Sequence, residues 1–117
     1  MPKLNIEAII TLPEEKLEEN TTGFIESGII SYQENNNTYV YLDINRHELI
    51  RENDELNMKY IFNEKELTKG NIFIKDLNQN IELDIKTNLI EKDIHKYKVE
   101  YMIEKETFTY EVMYSEV

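Results

Sequence analysis

The sequence predicts an all-β chain that closes as a single antiparallel meander barrel, and three observations predict it. Apolar residues recur at every second position through most of the chain, the period of a half-buried strand. Successive runs can be laid against each other with apolar residue opposite apolar residue. The links between the runs are short and polar. At 117 residues the chain has the length of one domain, residues 1–117, and can bury roughly two thirds of its unfolded surface. Its 40% hydrophobic and 32% charged composition supplies a core that a disordered chain lacks.

Leu4 to Leu12 reads as the first strand. The polar, acidic stretch Pro13 to Asn20 is the one place suited to a short helical turn. Phe24 to Tyr32 reads as the next strand. In the middle, a turn at Asn45 and Arg46 sets Val40 against Arg51, Leu42 against Leu49 and Ile44 against His47. A second turn at Asn53 and Asp54 sets Arg51 against Leu56, Leu49 against Met58 and His47 against Tyr60. The opposite face of this three-strand meander carries Glu48 beside Lys59 and Tyr41 beside Ile50, a solvated surface with one apolar patch. Thr68 to Ile74 and Ile81 to Thr87 follow as strands.

The last two runs face as Ile103 with Phe108, Tyr101 with Tyr110, Val99 with Val112 and Tyr97 with Tyr114, folded about the Lys105–Glu106 link. A one-residue slip would set them against Lys, Glu and Thr, so the face of each strand is well specified. Neither linking residue favours a tight primed turn, and a four-residue loop in the same register fits equally. The total is about eight or nine strands, enough to close a small barrel that is either packed with side chains or holds one small ligand. A two-sheet sandwich is the alternative.

Composition narrows function. Twenty-four acids against thirteen bases give a net charge of -11, which repels phosphate backbones and anionic membrane surfaces, so nucleic acid and membrane are not expected partners. With no cysteine there is no disulfide, thiolate nucleophile or cysteine metal site, in keeping with a reducing compartment. No apolar run at the amino terminus has signal-peptide form and none is long enough to span a membrane, so the cytoplasm is the expected location. The tripeptides Asn20 to Thr22 and Asn36 to Thr38 match the glycosylation pattern, but they would need a secretory route. The abundance of Ile, Asn, Lys and Tyr beside only two Arg reads as genome composition.

Catalytic signatures are missing. Three glycines, Gly23, Gly28 and Gly70, cannot write a dinucleotide fingerprint or a P-loop. None of Ser27, Ser31 and Ser115 lies in a nucleophile elbow. His47 and His95 are far apart, with no helix to place two ligands one turn apart, so no metal and no cofactor are expected. Nineteen glutamates include no pair that sequence can single out as acid and base, and solvated strand faces account for them. No catalytic residue can be named, and the chain reads as a non-enzyme.

Arg51 and His47 are the candidates for a ligand site, because the register places both on the face of Val40, Leu42, Leu49, Leu56 and Met58. A cation on a core face needs a partner. Arg51 would grip a carboxylate or phosphate of a small ligand inside the barrel, with His47 and Tyr60 adding hydrogen bonds. The structural alternative is an internal ion pair, with Arg51 snorkelling to water near the Asn53 turn. Tyr97, Tyr101, Tyr110 and Tyr114 fit strand formers of a core. Tyr39 and Tyr41 fall opposite Val40 and Leu42, and with Ile50 they suit an outward contact for a protein partner or a second copy.

The order of several features resembles the YwiB-like family of uncharacterised bacterial proteins, a domain of unknown function described as a calycin-like, that is lipocalin-like, β-barrel. The resemblance runs nearly the whole chain. It rests on Thr21, Thr22, Gly23 and Phe24, on Arg51 closing a short hairpin strand, and on Lys69 with Gly70 after the Met58 to Phe62 strand. Ile81 through Thr87 is similar to the family's strand ending in threonine, and Tyr101 to the tyrosine of its penultimate strand. Asn80 and Glu52 stand where the family pattern has glycines, so those turns may depart from it; Asn tolerates a left-handed backbone. The resemblance implies a closed barrel in a Gram-positive bacterial cytoplasm and carries no established activity. The expected function is binding of a small, partly apolar or anionic molecule in the barrel. The alternative is a solid-core interaction or homodimerisation module using Tyr39, Tyr41 and Ile50.

Overall fold

The computed structural model describes residues 2–35 and 37–117, so Asn36 of the second glycosylation tripeptide lies outside the described residues. Ten strands are present: β1 (Lys3–Thr11), β2 (Lys16–Glu26), β3 (Ile29–Gln33), β4 (Tyr39–Asp43), β5 (Glu48–Glu52), β6 (Leu56–Ile61), β7 (Thr68–Ile74), β8 (Gln79–Asp93), β9 (Lys96–Ile103) and β10 (Glu106–Glu116). Each pairs antiparallel with its sequence neighbour, and β10 returns to β1, closing the ring. The closed ring answers the sandwich alternative, and no helix occurs among the described residues.

Ten strands replace the eight or nine expected, because one expected strand is a hairpin. Phe24 to Tyr32 breaks at Ser27 and Gly28, whose φ values of 52° and 79° give a two-residue turn between Glu26 and Ile29. Two successive positive φ values make the primed turn whose twist matches antiparallel strands, and glycine carries the second at no steric cost. The helical turn expected within Pro13 to Asn20 is also absent. From Lys16 onward this stretch is β2, paired to β1 with Leu17 opposite Ile10 and Glu19 opposite Ala8. Ladder pairing to an existing strand satisfies its backbone, which an isolated polar turn of helix would leave largely to water. Ile81 to Thr87 is the middle of a longer β8, carried past a register shift between Thr87 and Leu89.

Two of the three hairpin registers read from sequence move by two residues, which keeps every side chain on its face. The β4–β5 pairing is as expected, with Val40 opposite Arg51, Leu42 opposite Leu49 and Tyr41 opposite Ile50, while Ile44 and His47 belong to the turn. In β5–β6, Arg51 faces Met58 and Leu49 faces Tyr60. The cause is Asn53, whose Oδ1 accepts from the N–H groups of Glu55 and Leu56 and so begins the turn one residue late. Glu48 and Lys59 become diagonal neighbours and still pair at 3.3 Å. In β9–β10, Ile103 faces Glu106, Tyr101 faces Phe108 and Val99 faces Tyr110. Here Glu104 takes φ 58° and closes a two-residue turn that glutamate was not expected to form.

Alternate residues of every strand point inward. Leu4, Ile6, Ala8, Ile30, Val40, Leu42, Leu49, Ile85, Val99 and Val112 line the core, and Tyr32, Tyr60, Phe62, Tyr97, Tyr101 and Tyr110 fill its middle. An eight-stranded barrel is just wide enough for side chains to fill, so the extra girth of ten strands is taken up by rings. Tyr101 stacks on Phe108 at 5.5 Å and tilts against Phe62 at 4.9 Å, with Tyr60 edge-on to both Phe62 and Tyr101. Where β2 passes closest to β3, Gly23 leaves no room: a Cβ there would lie 2.2 Å from the Ser31 carbonyl oxygen and 2.6 Å from Ile6 Cδ1. Gly23→Ala therefore destabilises the barrel by about 1–3 kcal/mol in denaturant unfolding, the usual cost of overpacking. A Gly23→Ala variant with unchanged midpoint and slope would contradict this packing.

Burial holds the phenols of Tyr32, Tyr60, Tyr97, Tyr101, Tyr110 and Tyr114 above the usual tyrosine range. Below about pH 10 these groups are neutral in both folded and unfolded chains and give no pH dependence. Above it the unfolded chain sheds protons that the folded barrel retains, so stability falls as pH rises. Tyrosinate absorbance from these six is expected to appear together with loss of the β circular-dichroism signal, in one cooperative step. Their ionisation in a chain that is still folded would refute the assignment of these phenols to the core.

Candidate functional site

Strand direction sorts the loops to two ends. Loops 12–15, 34–38, 53–55, 75–78 and 104–105 lie at one end, called here the mouth, and loops 27–28, 44–47, 62–67 and 94–95 lie at the other. Arg51, near the mouth end of β5, places its Nη2 against Oε1 of Glu34 in a close ion pair. The Glu34 side chain is 10% exposed and that of Arg51 24%, so the pair is shielded but still reaches water at the rim. That partial exposure limits the desolvation cost of holding it. This is the internal ion pair that sequence offered as the structural alternative for Arg51.

Loop geometry fixes the acid. The Glu34 N–H donates to Thr38 O at 2.8 Å, and the Asn37 N–H donates to Glu34 O at 3.2 Å. Glu19, inward-facing on β2, accepts from Asn35 N at 2.8 Å and Asn35 Nδ2 at 3.0 Å, tying the 34–38 loop to β2. Below the pair, the hydroxyls of Tyr32 and Tyr110 meet at 2.5 Å, a contact spanning the barrel from β3 to β10. Burial raises both phenols, and the Arg51 cation partly offsets this.

Between these groups and the β1–β2 wall lies a pocket of about 300 Å³, lined by Ala8, Ile10, Leu17, Glu18, Glu19, Glu34, Asn35 and Arg51. Ala8, Ile10 and Leu17 give it an apolar side and the charged residues a polar one. Three carboxylates face one guanidinium, which Glu34 already neutralises.

The other two candidate residues divide. Tyr60 lies deeper on the same interior as Arg51; burial raises its phenol, and the Arg51 cation draws it back. His47 does not join them. It sits in the turn at the opposite end with φ 56°, four residues along the strand and roughly 13 Å from Arg51. Its Nδ1 is 3.0 Å from Tyr97 Oη, the two rings stack at 5.9 Å, and burial and then Lys92 lower its pKa, so the imidazole is held neutral. Lys92 Nζ donates to Ile44 O and Asn45 Oδ1 in the same turn. His47 and Tyr97 plug the far end instead of binding at the mouth.

Sequence reasoning missed Glu34, Glu19 and the Ala8–Ile10–Leu17 side of the pocket. Glu34 continues the inward alternation of Ile30 and Tyr32, a signal that was available; Glu19 and Leu17 needed β2 to be recognised as a strand. Tyr39 and Tyr41 project from the outer wall as expected, with Ile50 half-buried beside Tyr41. Among the described residues no group of three or more His, Cys, Asp or Glu is arranged to hold a metal ion, and no helix is long and apolar enough to cross a membrane.

The fold is similar to that in the crystal structure of the ywiB protein from Bacillus subtilis, with a TM-score of 0.63 and 18% identity over 98% of this chain and 90% of that one. This likeness supports the resemblance read from the sequence, and what it shows is a shared barrel fold. No family model and no curated protein matches the chain.

Proposed function

We propose that this chain is a YwiB-like, calycin-type barrel of the bacterial cytoplasm that binds a small, partly apolar molecule at its mouth and performs no catalysis. The pocket beside Arg51 carries the reading: at about 300 Å³ it stands at the small end of ligand sites, apolar on the side of Ala8, Ile10 and Leu17 and polar opposite. The filled barrel middle restricts the ligand to this end. An anionic head group draws less support than the sequence alone gave it, because Glu34 matches the charge of Arg51 and Glu18 and Glu19 add two more carboxylates. A neutral or cationic polar end suits the site better.

Native mass spectrometry of gently purified protein tests the reading. The expected spectrum shows a retained small molecule that is lost from Arg51→Ala. It is lost as well from Leu17→Lys, which changes a half-exposed rim residue without opening the ion pair. Bare protein, joined by an absence of methyl NMR shifts at Ala8, Ile10 and Leu17 when small aliphatic and aromatic amines and alcohols are added, would overturn it.

A further inference from the structure

The outer wall carries a second concavity, remote from the mouth pocket and independent of the ligand reading. Phe24 on β2, Ser31 on β3 and Tyr41 on β4 form one cross-strand row on the outward face, and Gln33 with Tyr39 forms part of the next. The small serine between two rings leaves a slot whose walls stand two strands apart, about 10 Å between backbones. Its volume is about 290 Å³. Phe24, Tyr39 and Tyr41 are 43%, 50% and 40% exposed, an unusual concentration of solvent-facing rings. In a chain that is 32% charged, no residue lining this slot carries a charge.

The rim is different. Glu26, two residues beyond Phe24 on the same face, Asp43, two beyond Tyr41, and Glu52, opposite Tyr39, surround the slot. The nearby cations are Lys3, opposite Phe24, and Lys59, which is paired with Glu48. Among the described residues neither Glu26 nor Glu52 enters an ion pair.

Exposed aromatic platforms recognise nucleic-acid bases, saccharides or proline-rich peptides. The net charge of -11 repels a phosphate polymer and a second copy of this chain alike. A neutral saccharide would leave the acidic rim without a role. We propose that the slot binds a proline-rich segment of another protein in the polyproline II conformation, flanked by a basic residue. Its rings pack between Phe24 and the Tyr39–Tyr41 wall, and its carbonyls, unpaired within such a helix, accept from the hydroxyls of Tyr39 and Tyr41. The basic flank meets Glu26 or Glu52. Proline's fixed φ keeps the ordering cost low, which suits a shallow site.

Fluorescence anisotropy with the full chain tests this, using a labelled synthetic peptide of two Pro-x-x-Pro turns with a terminal arginine. Saturable binding is expected, weakened at least about tenfold by Tyr41→Ala, by Phe24→Ala, or by replacing the peptide's prolines with alanine. Both protein variants truncate exposed rings and should melt with the wild type, which separates a lost contact from a lost fold. Equal binding of the alanine peptide, unchanged affinity in both variants, or no saturation would overturn the proposal. So would NMR shifts at the slot produced by cellohexaose and not by the peptide, or self-association that Tyr41→Ala abolishes.

Discussion

The pairing of β1 with β10 is the constraint from which the remaining structure follows. It runs from Leu4 opposite Glu116 to Thr11 opposite Thr109 and uses the last free edge of a sheet that is otherwise a simple meander. Closure removes the unpaired N–H and C=O groups that an open edge would present to other chains. It also fixes parity around the ring: Ile6 meets Tyr114, Ala8 meets Val112 and Ile10 meets Tyr110, so each hydrogen-bonded row alternates inside and outside without exception at the seam. A one-residue slip there would turn Glu7, Ile9 and their neighbours about and bury carboxylates against Tyr97 and Tyr110.

Parity then dictates how the inside is filled, and the two ends are filled differently. At the far end Phe62, Tyr97 and the neutral ring of His47 close the barrel with apolar surface and one phenol–imidazole hydrogen bond. At the mouth the inward positions fall to Glu19, Glu34 and Arg51, which are polar yet cannot point elsewhere without changing the register of a whole strand. The 34–38 loop folds over them, and the Tyr32–Tyr110 hydroxyl pair gives the layer beneath its own internal partners. A polar layer that satisfies itself over an aromatic middle leaves only the gap beside small Ala8 for a guest. Any binding at this end is a property of the rim and not of a deep calyx.

Much of this was legible in the chain because side-chain period survives errors of register. The facing of Val40, Leu42 and Leu49 inward and of Tyr39 and Tyr41 outward needed only alternation. Position along the strand needed the turn, and turns are decided by local hydrogen bonds: Asn53 capping Glu55 and Leu56, or Glu104 accepting a left-handed backbone, displaced two registers by two residues. The same lesson explains the site. Arg51 was readable as a cation on a core face, while its partner Glu34 comes from a loop that no pairing rule places, and His47 was assigned to the same cluster by parity although it lies at the opposite end. β2 escaped notice because Lys16, Glu18 and Asn20 face water on a strand whose inward positions, Leu17, Glu19 and Thr21, are themselves only partly apolar.

The central claim is that the barrel is solid except at the mouth. Xenon, which enters dry apolar voids, reports this directly through methyl NMR shifts. The account predicts shifts confined to Ala8, Ile10 and Leu17, with Val99, Val112 and Ile85 unmoved. Shifts centred on those deep methyls would reveal an internal chamber and contradict it.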